Sequence, residues 1–283
     1  MILLDGKALS EKIKAEVKLE VEEIVKEKEI TPGLAVILVG NDPASATYVA
    51  SKAKSCENAG IYSVVHKMPE TITQEELLQT IAMMNKNPKL DGILVQLPLP
   101  KQIDTTVVLE AIDPLKDVDG FHPYNVGRMV SNLDAFLPAT PFGVMRMFEE
   151  YGIELSGKNV VVIGSSDIVG KPMASLLINA KATVTVCNSR TKDLKAHTLA
   201  ADIVVIAVGV PFLLKEDMVK DGAVVIDVGI NRNEEGKLIG DVDFENVEKK
   251  ASYITPVPGG VGPMTIAMLM NNVVEAAKMQ NGI

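Results

Sequence analysis

Tyr48 and Lys52 stand four residues apart in YVASK, inside a segment that Asn41-Asp42-Pro43 opens and Gly60 closes. Those punctuating residues predict a helix ending near Asn58. The spacing places the phenol and the amine on one helical face. A lysine drawn out of water can exchange protons near neutral pH; the same two residue types on an exposed helix are ordinary surface chemistry. Short-chain dehydrogenases use this spacing within their nucleotide-binding domain. Here the pair lies more than a hundred residues before the nucleotide-binding pattern, which excludes that family. Gln96 ends the aliphatic run in DGILVQLPLP, at the strand end where open α/β sheets place ligands. Leu97, Pro98 and Pro100 continue from it as a stiff edge. Asp117, Asp119 and Gly120 follow in a long loop, where acids serve either solvation or a ligand.

A second group of residues has the pattern of a nucleotide site. VVVIGSSDIVGKP reads as a strand, a tight turn and a helix start. Gly164 permits the turn, Gly170 permits close packing, and amides exposed at the helix start attract a pyrophosphate. The usual GxGxxG is absent, so a plain strand-turn-helix corner fits this segment too. The next strand ends Cys187-Asn188-Ser189-Arg190-Thr191, with no carboxylate for a ribose 2′-hydroxyl. Ser189 and Arg190 suit a 2′-phosphate instead, so NADP is expected in preference to NAD. In PVPGGVGPMT, Pro258, Gly259 and Gly260 allow a close backbone approach to a ligand or an interdomain hinge.

The elements that must position these residues alternate. Ser10 is placed to cap a first helix carrying Ile13, Val17, Val21, Ile24 and Val25. Strands are expected at Leu34–Val39, Tyr62–His66 and Ile93–Val95, with a helix at Gln74–Asn85. Asp113 to Pro141 reads as irregular, and a connector helix follows to Tyr151. The alternation then restarts with strands at Val160–Ile163, Thr183–Cys187, Ile203–Val208 and Val224–Val228, a doubly wound pattern. A last helix is expected from Met264 to about Met279, returning to the first domain.

The chain has 283 residues, 47% hydrophobic and only 4% aromatic, with no Trp. Cores built on Val, Ile, Leu, Ala and Met favour parallel sheets covered by helices. The net charge of -9 and the lack of a basic run argue against nucleic acid. The apolar runs are too short for a membrane span and the N-terminus does not read as a secretory signal, so the cytoplasm is expected. Cys56 and Cys187 fall in different domains outside any CxxC pair, and neither a disulfide nor a metal is expected.

YVASKAKSCENAGI, DGILVQLPLP, KDVDGFHPYNVGRM, PATPFGVM, GSSDIVGKPMA, VIDVGIN and YITPVPGGVGPMT together resemble the bifunctional methylenetetrahydrofolate dehydrogenase/methenyltetrahydrofolate cyclohydrolase family. They run through nearly the whole chain in the family's order. The resemblance implies an α/β folate-binding domain over residues 1–140, joined by the C-terminal helix 264–283, and a Rossmann-like NADP domain over 141–263. It implies a homodimer acting on tetrahydrofolate derivatives in a cleft between the domains. It makes Lys52 the central catalytic residue, with Tyr48 stacking near the folate, Gln96 supporting Lys52 and Asp119 holding the pterin. Leu97, Pro98, Pro258, Gly259 and Gly260 would line the substrate. Gly164, Ser165, Ser166, Ser189, Arg190 and Ile230 fall at the family's NADP contacts. Some members carry Arg where Ser165 stands, which leaves more of the 2′-phosphate to Arg190.

Overall fold

A computed structural model describes all residues, 1–283. The first half contains β1 (Ile2–Leu3), α1 (Gly6–Lys28), β2 (Gly33–Val39), α2 (Pro43–Asn58), β3 (Tyr62–Met68), α3 (Gln74–Asn85), β4 (Gly92–Val95), α4 (Thr105–Glu110), α5 (Pro123–Val130) and α6 (Ala139–Glu150). The second half contains β5 (Asn159–Ile163), α7 (Gly170–Asn179), β6 (Thr183–Cys187), α8 (Leu194–Leu199), β7 (Ile203–Ile206), β8 (Val224–Asp227), β9 (Asn231–Arg232), β10 (Leu238–Ile239), α9 (Phe244–Val247), β11 (Tyr253–Ile254) and α10 (Val261–Asn281). The chain divides into two compact units, each assembled from three stretches: 12–128, 134–139 and 266–283 in one; 1–11, 129–133 and 140–265 in the other.

The unit built around 12–128 contains a parallel three-stranded sheet in the order β3-β2-β4. Strand β2 is buried along its whole length, as expected of a central strand whose GLAVILV run is apolar without alternation. Ala35, Ile37, Ile81, Ile93 and Val95 share one core cluster. Asp42 caps α2 by accepting the Ser45 amide at 2.7 Å, and Thr73 and Glu76 form a reciprocal box at the start of α3. Helix α10 closes this unit. Ile266, Ala267, Met270, Val273, Val274 and Ala277 are all buried, and Gln280 donates to the carbonyls of Asp91 and Leu115 at 2.8 and 3.0 Å.

The other unit carries a six-stranded sheet in the order β1-β11-β8-β7-β5-β6, parallel throughout. From β5 the chain passes to β6 on one side, then returns to β7 on the other. This reversal creates a switch point at the C-terminal ends of β5 and β7, where open α/β sheets bind ligands. Val161, Ile163, Val204, Ile206, Val225 and Ile254 form the core.

Several expectations need correction. Ser10 does not cap α1. Asp5 does, accepting the Ala8 amide at 2.9 Å, while buried Ser10 returns its hydroxyl to the Lys7 carbonyl at 2.8 Å. Residues 1–11 were expected in the first domain. Instead β1 pairs with β11, because the two exposed apolar residues Ile2 and Leu3 gain a ladder there. Segment 113–141 is not uniformly irregular, since it contains α5. Helix α6 is not a bare connector: its Val144, Met147 and Phe148 are buried, and Gly143 packs against Met264. Helix α10 begins at Val261 rather than Met264.

Candidate active site

In the unit built around 12–128, Lys52 faces inward from α2 and is only 4% exposed. Its Nζ donates to Gln96 Oε1 at 3.2 Å. The Gln96 side chain is fixed from its other end, with Nε2 donating to the Leu97 carbonyl at 2.8 Å. The Gln96 backbone amide donates to the Ile37 carbonyl at 2.9 Å, carrying the strand pairing one residue beyond β4. Half-buried Tyr48 sits one turn before Lys52, with its ring centroid 5.1 Å from Nζ, within cation–π range.

Burial pulls Lys52 below the ordinary lysine pKa, and the charge of Asp119 restrains that fall. Half-buried Asp119 is raised by the same loss of water and held back by Lys52. Cys56, one further turn along α2, is fully buried, and its thiol is pushed up to about 12 by desolvation. It therefore stays a neutral neighbour. The lysine faces one neutral amide and one carboxylate, an arrangement able to hold either charge state of an amine.

The loop bearing Asp119 is built rather than solvated. Asp117 is 1% exposed, and its carboxylate accepts from the Phe121 and His122 amides at 3.2 and 2.8 Å and from Asn125 Nδ2 at 2.8 Å. Burial raises Asp117 to about 7. Gly120 has φ +72, and a Cβ there would meet the Leu137 carbonyl carbon at 2.6 Å. Asn272 of α10 donates to the carbonyls of Val118 and Leu137 at 2.9 and 3.0 Å. Asn125 and Asn272 were not anticipated from sequence; Asn125 lies in KDVDGFHPYNVGRM, but Asn272 gives no signal beyond being polar in an apolar helix.

In the other unit, the turn after β5 requires its glycines. Gly164 has φ +120, and a Cβ on it would overlap the Ala207 carbonyl; a Cβ on Gly170 would overlap the backbone of Gly164 itself. These glycines let the turn close tightly on itself and on the backbone at Ala207. One expectation changes here. Ser166 Oγ already accepts the amides of Val169 and Gly170, both at a long 3.3 Å, so those donors are engaged. Ser165 is half-buried, and Ser189 and Arg190 are exposed just past β6. The Arg190 amide is tied to Asn188 Oδ1 at 2.9 Å. Ile230 is exposed beyond β8. Pro258 is exposed, while Gly259 has φ +102 and accepts the Lys7 amide at 2.8 Å.

One unit thus offers a glycine-bounded turn at a sheet switch point, the fold of a nucleotide-binding α/β enzyme, and the other a buried lysine set on a neutral amide, a group able to exchange protons. Sequence models described as "Tetrahydrofolate dehydrogenase/cyclohydrolase, catalytic domain" and "Tetrahydrofolate dehydrogenase/cyclohydrolase, NAD(P)-binding domain" match residues 4–119 and 138–281. The chain belongs to the tetrahydrofolate dehydrogenase/cyclohydrolase family. It is 92% identical over 280 residues to the "Bifunctional protein FolD" of Aliarcobacter butzleri, covering 99% of this chain and 98% of the relative. The crystal structure of the bifunctional FolD enzyme from Campylobacter jejuni superposes with a TM-score of 0.97 at 58% identity, covering 99% of both chains. The Trypanosoma brucei dehydrogenase-cyclohydrolase, solved with NADP cofactor and an inhibitor, gives a TM-score of 0.97 at 38% identity over 100% of this chain and 99% of that one.

Proposed function

We propose that this chain oxidises 5,10-methylenetetrahydrofolate to the 5,10-methenyl form with NADP and then hydrolyses that product to 10-formyltetrahydrofolate. Family membership supports both reactions, and the contact between Lys52 and Gln96 carries the residue assignment. In the first reaction the methylene carbon gives up a hydride and becomes cationic. NADP supplies the hydride acceptor when bound. The turn at Gly164, Ser165 and Ser166 would hold its phosphates, Ser189 and Arg190 its 2′-phosphate, and Ile230 would supply a further contact. The tight turn that Gly164 and Gly170 allow, with Ser189 and Arg190 exposed at the end of the neighbouring strand, suits such a phosphorylated group.

In the second reaction water adds to the methenyl carbon and the bond to a ring nitrogen breaks. Lys52, as a neutral amine, takes one proton of the attacking water and returns it to the departing nitrogen, while the second water proton is released to solvent as the carbinol oxygen becomes the formyl carbonyl. Gln96 orients the amine without fixing it in the charged form. Tyr48 packs against the folate and excludes water. Asp119 accepts hydrogen bonds from the pterin edge, and Leu97, Pro98, Pro258, Gly259 and Gly260 contact the substrate. We read the chain as a cytoplasmic homodimer, a reading supported by its family resemblance. No helix is long and apolar enough to cross a membrane.

Lys52→Met keeps the apolar stem and removes the amine. Cyclohydrolase activity should fall at least a hundredfold, in the range of lost acid–base catalysis of roughly 10²–10⁴, while hydride transfer remains measurable and methenyltetrahydrofolate accumulates. Hydrolysis at the wild-type rate would refute the assignment of Lys52.

A further inference from the structure

Two carboxylates lie buried at the C-terminal end of the six-stranded sheet: Asp227, 3% exposed, and Asp241, 0% exposed. Asp227 ends β8, and Asp241 follows β10. Asp241 Oδ2 accepts the amides of Val208 and Gly209 at 2.8 and 2.9 Å. Its Oδ1 accepts from Asn231 Nδ2 at 2.9 Å. Asp227 in turn secures Asp241: its Oδ1 accepts the Asp241 amide at 3.0 Å and the Gly229 amide at 2.9 Å, and its Oδ2 accepts the Val242 amide at 2.9 Å. The seat admits no extra atoms, since a Cβ on Gly229 would overlap the Asp241 carboxyl and one on Gly240 the Asp227 carboxyl. All six hydrogen bonds come from neutral donors. Burying two carboxylates without a cation among these donors is expensive, and apolar residues could pack a sheet end at lower cost.

What the pair holds is informative. The Val208 and Gly209 amides follow β7 at the switch point. The Ala207 carbonyl and a Val208 methyl fill the space where Gly164 would carry a side chain. Asn231 directly follows exposed Ile230. Asp241 thus fixes two loops at once, the one against which the Gly164 turn rests and the one that presents Ile230. We propose that Asp241, braced by Asp227, is a positioning residue for the nicotinamide cofactor, setting the walls of the nucleotide site without touching the ligand. This rests on the reading that this unit takes NADP.

The test compares Asp241→Ala, Asp241→Asn and Asn231→Ala. NADP binding is titrated directly, the KM for NADP is set against that for methylenetetrahydrofolate, and cyclohydrolase activity is assayed from methenyltetrahydrofolate without nucleotide. Asp241→Ala leaves three donors without an acceptor and should raise the KM for NADP about tenfold or more, with the folate KM and hydrolysis within about twofold of wild type. Asp241→Asn retains an oxygen for the two amides and should restore most of the binding. Asn231→Ala should act in the same direction by a smaller factor, and it decides the matter if Asp241→Ala does not fold. An unchanged KM for NADP in a folded Asp241→Ala or Asn231→Ala protein overturns the proposal. So does a parallel loss of both activities in Asp241→Ala, which marks a merely structural role. A wild type that fails to bind NADP in the titration overturns the underlying cofactor reading instead.

Discussion

Lys52 and Lys116 are the two buried lysines of the chain, and they are held for different ends. Lys116 donates to the Asn87 carbonyl at 2.9 Å, with the buried carboxylate of Asp91 nearby. Lys52 has the neutral Gln96 oxygen and the face of Tyr48. Burial lowers both pKa values, but only Lys52 has a neutral side-chain amide and an aromatic face as its neighbours. If the neutral amine is the active form in hydrolysis, as proposed, the rate should rise with pH through a single ionisation lying below the ordinary lysine value. Asp119 favours the charged amine; Asp119→Asn should therefore move the inflection to lower pH while weakening folate binding. Cyclohydrolase rates measured between about pH 6 and about pH 10, corrected for spontaneous hydrolysis, check this against the free lysine pKa of about 10.4. A rate that is flat across this range would sink the proposed base.

Among the elements, α10 exerts an influence that its sequence conceals. Asn272, 3% exposed, supplies the donor for two carbonyls flanking the Asp119 loop. Asn272→Ala should leave both without a partner and cost about 2–6 kcal/mol, taking roughly 1–3 kcal/mol for each buried unsatisfied group. Urea unfolding would show the loss, and the folate KM should rise, since the loop between Val118 and Leu137 would be released. The elements that announce themselves are those whose local chemistry decides their state. Asp42-Pro43 starts α2, the aliphatic run of β2 has no polar break, and Gly164 and Gly170 mark a turn. Strand β1 was illegible because two residues carry no periodicity and its partner β11 lies some 250 residues away. Asp117 was equally ambiguous, since an acid in a polar loop looks solvated until its three donors are seen. The buried pair Asp227 and Asp241 escaped notice because Asp227 ends an otherwise aliphatic strand and Asp241 follows Gly240 in a segment that reads as an ordinary turn. Helical spacing placed Tyr48 and Lys52 on one face and the strand end placed Gln96, but their grouping was legible only through the family resemblance, and the amide direction of Gln96 needed the Leu97 carbonyl.

At the scale of the whole molecule, each unit borrows a stretch from the opposite end of the sequence. The unit holding Lys52 requires 266–283, and the unit holding Gly164 requires 1–11. A chain ending at residue 265 would lose Asn272, Gln280 and the buried face of α10. It should lack cyclohydrolase activity even though Tyr48, Lys52, Gln96 and Asp119 are all present, and circular dichroism should show loss of helix beyond the deleted segment. A truncated chain that hydrolysed methenyltetrahydrofolate normally would contradict this dependence.

The crossing of the chain between units also imposes an order in time during synthesis. The Asp119 loop emerges from the ribosome about 150 residues before Asn272, a delay of roughly 8–30 s at ~5–20 residues per second. Strand β1 waits longer still for β11. The segment carrying the lysine is therefore translated early but completed late, and the nascent chain exposes the apolar surfaces awaiting α10 until translation is nearly finished. A cell that makes this protein quickly must shield those surfaces over that interval, a demand set by topology.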